Sequence, residues 1–303
     1  MIRVFPRRTK WTPNDDMVFI GEPPIIGRPP DLPVYISCSF TWDINECERL
    51  YRSWSASYSD VQIGGPALGD CGSEFEPGRF IKNGVVITSR GCPKNCPWCF
   101  VPSREGEIRE LEVKDGYIIQ DNNLLACSMG HLEKVFDMLR VQSHAAQFMG
   151  LDAEFLTENH VDLLDSIRVD RMFFAYDTNG DTYHLEKTAD LLSDYNRNKK
   201  RCYVLVGYGG ESLKNAEKRL LKMWELGYMP FAMLYRDDNY KRRHVSKQWQ
   251  DLTRIFSRPA IMRGYCKNHF STEKIPAEIS EQIQTRLHSF ESDLHRQNQG
   301  QNP

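Results

Sequence analysis

Between residue 84 and about residue 260, short apolar runs alternate with longer amphipathic stretches six times over. The apolar runs are 84–89 (GVVITS), 117–120 (YIIQ), 145–149 (AAQFM), 171–176 (RMFFAY), 202–207 (CYVLVG) and 229–235 (MPFAMLY). Helical periodicity fills most of the gaps, over about 129–142, 157–167, 181–196, 211–226 and 246–256, while 100–116 is polar. The 211–226 segment is the clearest, with Leu213, Ala216, Leu220, Met223 and Trp224 on one stripe. Few topologies accommodate such an alternation. Six strand–helix units in series imply a parallel sheet with right-handed crossovers. Continuous apolar runs further imply strands covered on both faces. Periodicity alone leaves open whether the sheet is flat and doubly wound or curled into a partial barrel.

The rest of the chain frames this α/β core. At 303 residues it has room for about two domains, or one large one, and for a core that needs no disulfides. The 39 basic and 41 acidic residues give a net charge of −2, which excludes a generally basic, phosphate-coating protein. No apolar run approaches the 18 residues of a membrane span, and MIRVFPRRTKW lacks the apolar core of a secretory signal, so a cytoplasmic protein is expected. Residues 1–33 are proline-rich and read as extended surface chain. A strand at 34–40, a helix capped by Asp43 and running to about Tyr58, and a strand at 61–65 form a small α/β unit. Residues 277–296 read as a last amphipathic helix before a polar, disordered tail. The expected organisation is an N-terminal extension at 1–83, a core at 84–260 and a C-terminal helix and tail at 261–303.

Nine cysteines are present, and three cluster: Cys92, Cys96 and Cys99, in TSRGCPKNCPWCF. In a reducing compartment such a cluster signals metal or redox chemistry before a disulfide. The spacing is C-x3-C-x2-C, directly after the first strand of the repeat. Gly91, Pro93 and Pro97 make the loop turn-rich, able to aim several sulfurs at one centre. Three thiolates would leave one iron of a [4Fe-4S] cluster open to substrate or cofactor. A zinc site would need a distant fourth ligand, such as Cys71, Cys127 or His131, and no second C-x2-C half exists. Structural thiols with no metal are the third reading.

The loop resembles the signature of the radical S-adenosylmethionine (SAM) superfamily, C-x3-C-x-Φ-C, with Trp98 at the aromatic position and VVITS as the preceding strand. The resemblance covers about 84–260, and the whole chain looks like small radical SAM proteins of bacteria and their phages. It implies a partial (β/α)6 TIM-like barrel with a small N-terminal α/β extension and a C-terminal helix. It also implies a [4Fe-4S] cluster on Cys92, Cys96 and Cys99, and SAM chelated at the open iron. Reductive cleavage of SAM would give a 5′-deoxyadenosyl radical that takes hydrogen from an unidentified substrate. The protein's part would be to position and shield that radical.

Other family positions carry over where they match. The Gly-Gly-Glu stretch that holds the SAM amino group corresponds here to Asp121, Asn122 and Asn123, which differ in type but keep acceptors for an ammonium. A polar turn is the other reading of this stretch. Asp152, after the third strand, could accept from ribose hydroxyls, and Asp177 ends the fourth; both could equally cap helices or turns. Gly207, Tyr208 and Gly209 resemble the segment that packs against adenine, and Leu234 could line the same pocket. Such a turn suits any tight strand–helix loop.

The strand at 34–40 and IGGPA at 63–67 faintly resemble part of the cobalamin-binding domain that precedes many such barrels. Cobalamin is nonetheless not expected. The Asp-x-His-x-x-Gly motif is absent, no histidine precedes residue 131, and two strands with one helix are too few for an open nucleotide-binding sheet. The basic runs RNKKR (197–201) and YKRRH (240–244) could guide nucleic acid but more usually form solvated faces. The partners implied are a substrate and an electron donor such as flavodoxin or ferredoxin, with no membrane. The rival functions are a zinc-stabilised nucleic-acid-binding module and a catalytically inactive iron-sulfur protein that binds SAM.

Overall fold

The computed structural model describes residues 1–69, 75–236 and 245–271. The first sheet uses β1 (Ile2–Phe5), β2 (Val18–Ile20), β3 (Val34–Ser37) and β4 (Val61–Gly64), with α1 (Ile44–Ser55) between the last two. Its four strands are all parallel, in the order β2-β1-β3-β4. Residues 1–33 are therefore not merely extended surface chain, because they supply a central strand and an edge strand. The unit is also larger than the two strands on which its exclusion as an open nucleotide-binding sheet rested. Ile2, Val4, Val34 and Ile36 are fully or almost fully buried and meet Cys47, Leu50 and Trp54 of α1. A four-residue strand carries too little periodicity to stand out among prolines, so packing against α1 decides it. Asp43 does not cap α1 through its side chain. Its carboxylate accepts instead from Arg7 at 2.8 Å.

The chain continues through β5 (Val85–Val86), β6 (Ser89–Arg90), α2 (Val101–Arg104), β7 (Arg109–Glu110), β8 (Ile118–Ile119), α3 (Met129–Arg140), β9 (Ala146–Leu151) and α4 (Glu158–Asp165). It ends with β10 (Val169–Tyr176), α5 (Thr182–Leu191), β11 (Lys200–Val206), α6 (Leu213–Glu225), β12 (Met229–Leu234), α7 (Lys247–Ser257) and α8 (Pro259–Ser271). The second sheet is six-stranded and wholly parallel, in the order β12-β11-β10-β9-β8-β5. Its order follows the chain without reversal, unlike that of a doubly wound sheet.

The two faces of this sheet differ. Along β11, Lys200, Cys202, Val204 and Val206 are buried, while the intervening Arg201, Tyr203 and Leu205 are only partly so. In β10, Met172, Phe174 and Tyr176 are buried between the half-buried Phe173 and the exposed Ala175. The strands are thus covered on one face only, contrary to the expectation from their apolar runs. The covered face packs against α6 through Ala216, Leu220 and Met223, and Phe174 meets the ring of Tyr228 edge-on at 5.8 Å. The other face carries an aromatic row. Phe173 stacks on Tyr203 at 4.9 Å, and Tyr203 meets Phe231 edge-on at 5.7 Å.

The basic run 197–201 is built into the fold. Arg197 lies 3.6 Å from the centre of the Trp224 ring, and the buried Lys200 ammonium donates to the Leu192 carbonyl at 3.0 Å. The second run, at 240–244, lies outside the described residues, as do the helix expected at 277–296 and the tail. A helix not anticipated from sequence, α8, starts at Pro259, where proline suits a first turn. No helix among the described residues is long and apolar enough to cross a membrane.

β9 ends against the segment that follows β8. A Cβ on Gly150 would stand 2.2 Å from the Asp121 carbonyl oxygen and 2.8 Å from that of Asn122. Gly150→Ala is therefore expected to destabilise the fold by about 1–3 kcal/mol in urea unfolding. Gly130→Ala, where nothing lies within 4 Å, is expected to be neutral or to stabilise α3 by up to about 1 kcal/mol.

Candidate functional site

The three-cysteine loop leaves the core through a closed neck. The apolar run at 84–89 is not one continuous strand: Val85 and Val86 pair with β8, after which Ser89 and Arg90 pair antiparallel with Glu110 and Arg109. Gly91, at φ +83°, passes so close to the opposite chain that a Cβ would lie 2.0 Å from the Glu107 carbonyl oxygen. The Cys92 amide donates to the Gly106 carbonyl at 3.1 Å, and the Gly91 amide to a Glu105 carboxylate oxygen at 3.2 Å. Glu105 also pairs with Arg90 at 3.4 Å. The cysteines thus sit on an excursion whose two ends are held together.

Asp121 fixes that neck to the core. Its Oδ1 accepts from the Thr88 amide at 2.7 Å, and its Oδ2 accepts from Thr88 Oγ1 at 2.6 Å and Ser89 Oγ at 2.7 Å. The residue is 4% exposed. Burial pushes its carboxyl up to about 6, against the three donors that hold it down. Asp121 does not line the cavity beside the cysteines, so the expectation that it accepts an ammonium there is corrected. Its acceptors are already occupied by the strand that leads into the loop.

One cavity of about 790 Å³ lies beside the loop at the carboxyl ends of β8, β9 and β10. Its lining joins Cys92, Cys96 and Cys99 to Trp98, Asn122, Asn123, Asp152 and Asp177. Residues far apart in sequence therefore meet as the strand–helix repeat implied. Trp98 Nε1 donates to Asp177 Oδ2 at 3.1 Å, and burial raises the Asp177 carboxyl above its ordinary range. Burial, with the Asp177 charge nearby, pushes the Cys96 thiol up to about 11. Asn122, which lines the cavity, donates its side-chain amide to a Glu105 carboxylate oxygen. Asn123, 2% exposed, donates to Cys92 Sγ at 3.6 Å, and its Oδ1 is buried without a hydrogen-bond partner. An orphaned buried acceptor beside a cysteine fits a site completed by a ligand with N–H donors.

Other residues fall differently. Gly207, Gly209 and Leu234 are absent from the cavity lining. Tyr208 reaches it indirectly, edge-on to Trp98 at 5.1 Å and to Tyr235 at 4.8 Å. Asp152 accepts from the Glu154 amide and pairs with Lys94 at 2.9 Å, and Lys94 also pairs with Glu154 at 2.9 Å. Lys94, between the first two cysteines, was not singled out from sequence, nor were Phe173 and Tyr203, which line the same cavity. The every-second-residue exposure of the strands would have marked the last two. Of the distant zinc ligands considered, Cys127 belongs to the apolar core and His131 is buried in α3, while Cys71 lies outside the described residues. Among the described residues no three His, Cys, Asp or Glu side chains stand close enough to hold one metal ion.

No known family model matches the chain, and no curated protein matches it.

Asp121→Ala is expected to cost about 2–4 kcal/mol in urea unfolding, because it strands a buried amide and two hydroxyls. The sign of the pH effect follows from the raised carboxyl. Between an unfolded value of about 4 and the folded value of about 6, the folded chain binds the extra proton. Stability contributed by this group is full below about pH 4 and is lost as pH rises through about 6. Asp121→Asn should lack that component, visible as a flatter urea midpoint between pH 4.5 and 7.

Proposed function

We propose that this chain is a radical SAM enzyme, with one [4Fe-4S] cluster held by Cys92, Cys96 and Cys99 and SAM bound beside it. The observation that carries this reading is the shared cavity: the C-x3-C-x-Trp-C loop, the asparagines after β8 and the acids after β9 and β10 all line it. The sequential strand order and the half-covered faces support the finer fold as well, a partial (β/α)6 TIM-like barrel whose interior is the aromatic row. Such barrels work at the carboxyl ends of their strands, where the cysteines lie.

The donor set suits the group. Thiolates are soft ligands, and a cubane takes each at a different iron, so the three sulfurs need not converge on one ion. When bound, the cluster would supply the one electron that breaks the C5′–S bond of SAM, releasing methionine and leaving a 5′-deoxyadenosyl group able to take a hydrogen atom from a substrate. The chain's own residues do the positioning. Asn122 and the unpartnered Asn123 Oδ1 accept from the SAM ammonium. The Trp98–Asp177 hydrogen bond and the Lys94 pair with Asp152 and Glu154 hold the loop against β9 and β10. Phe173 and Tyr203 wall the space left for substrate and keep water from it. The reducing electron comes from a small donor such as flavodoxin or ferredoxin, reaching the cluster at the exposed Cys99 and Phe100.

The test is anaerobic reconstitution followed by iron counting and product analysis. Wild type is expected to be brown, to hold about four irons per chain, and to form 5′-deoxyadenosine from SAM on reduction. Cys96→Ala should lose most of its iron, and Cys127→Ala, altering a core thiol, should keep it. Full iron in Cys96→Ala, or colourless wild type, would sink the assignment. Asn122→Ala should retain the cluster and weaken SAM binding by roughly two- to ten-fold, the loss of one hydrogen bond.

A further inference from the structure

The N-terminal sheet holds a second cavity that the cysteine site does not use. In the order β2-β1-β3-β4, the chain leaves β1 toward one side for β2 and returns to the other side for β3. Such a reversal opens a crevice at the carboxyl ends of the two diverging strands, where open α/β sheets bind ligands. A cavity of about 360 Å³ occurs at that place, lined by Phe5 and the residues after β1, by Ser37 and those after β3, and by Pro66 after β4. Phe80 and Gln120 close it from the side of the second sheet, and no residue is shared with the cysteine cavity.

The chemistry of the walls is selective. The loop after β1 reads Pro6-Arg7-Arg8-Thr9-Lys10-Trp11, and of its cations Arg7 lines the cavity, beside the Asp43 carboxylate with which it pairs. Behind the lining, Lys10 and Lys82 place their ammonium groups 4.5 and 5.1 Å from the Trp11 ring, and Arg79 lies 5.5 Å from that of Phe80; none of the three lines the cavity itself. Arg7 gives one hydrogen bond to Asp43 and rests over Phe40 and Trp42; its other N–H groups have no hydrogen-bond partner among the described residues. Aromatic walls suit a flat ring. The hydroxyls of Ser37 and Ser39 and the Gln120 amide suit a ring edge or sugar hydroxyls. The Arg7 guanidinium suits a phosphate, which such groups bind through paired N–H donors.

We infer that this cavity is a second small-molecule site and that its ligand is a nucleoside monophosphate, with the phosphate on Arg7 and the base between Phe80 and the β1 loop. The proposal is independent of the cysteine site. Because the loop after β1 contains no glycine before residue 21, the phosphate is held by side chains and not by a backbone cradle.

Equilibrium dialysis of the full-length protein against AMP, GMP, CMP and UMP tests this, with adenosine and inorganic phosphate as separate arms. At least one nucleotide is expected to bind saturably, one per chain, and roughly ten-fold or more tighter than adenosine or phosphate alone. Arg7→Ala should weaken that binding roughly ten-fold or more. Because Arg7 also pairs with the buried Asp43, Ser39→Asp provides a second test: it adds a negative charge at an exposed position in the cavity and should weaken nucleotide binding without lowering the melting temperature. Cys96→Ala should bind the nucleotide as wild type does. No binding by any of the four overturns the proposal, as does adenosine or phosphate binding equally well, or unchanged affinity in both pocket variants. Loss of binding in Cys96→Ala overturns it too, by moving the nucleotide to the cysteine cavity.

Discussion

A single buried carboxylate joins the two halves of the cysteine site. Asp121 follows β8 and takes three hydrogen bonds from Thr88 and Ser89, the residues that lead out of β5 into the loop. Removing a carboxylate from water is costly, and only a full set of donors makes the burial tolerable. That cost makes the junction specific, since any other register of the loop would leave the charge unpaired. With the junction set, Asn123 stands beside Cys92 and Asn122 beside Glu105, and the β6–β7 pairing closes the neck around the excursion. Gly150 completes the arrangement by letting β9 approach the Asp121 carbonyl.

The sheet's asymmetry supplies the space. One face of the second sheet is sealed by helices and belongs to the main apolar core. The other carries half-buried aromatic side chains and opens into the cysteine cavity. A strand order that never reverses places successive right-handed crossovers on the same side, so the opposite face has no helices from the repeat to cover it. In the N-terminal sheet the order does reverse, and there the cavity lies at the strand ends. Two parallel sheets in one chain thus make their cavities by different topological routes.

Much of this was legible in the residues. The six apolar runs each overlap a strand of the second sheet, and in the α6 stripe Ala216, Leu220, Met223 and Trp224 are buried while Leu213 is partly so. The cysteine loop, Trp98, Asn122, Asn123, Asp152 and Asp177 meet at one cavity. Other features were not legible. Ile2–Phe5 is too short for its alternation to register, yet it is a central strand because α1 buries Ile2 and Val4. Asp43 has the right type and place for a helix cap, but Arg7, 36 residues away, takes its carboxylate. Asp121 reads as a free acceptor because its donors belong to another strand.

The sequence by itself determined the local quantities: which runs become strands, which stripes face a core, and that three thiols share one turn-rich loop. These depend on residues within a few positions of one another, through side-chain period and backbone preference. Tertiary structure decided which polar groups are spent on the fold and which remain for a ligand. Asp121 is consumed and Asn123 keeps an orphaned acceptor, although the two are separated by one residue. The physical reason is that a buried polar atom is satisfied by whatever lies across from it in space, and only the pairing of β5, β8 and β9 brings those partners into place.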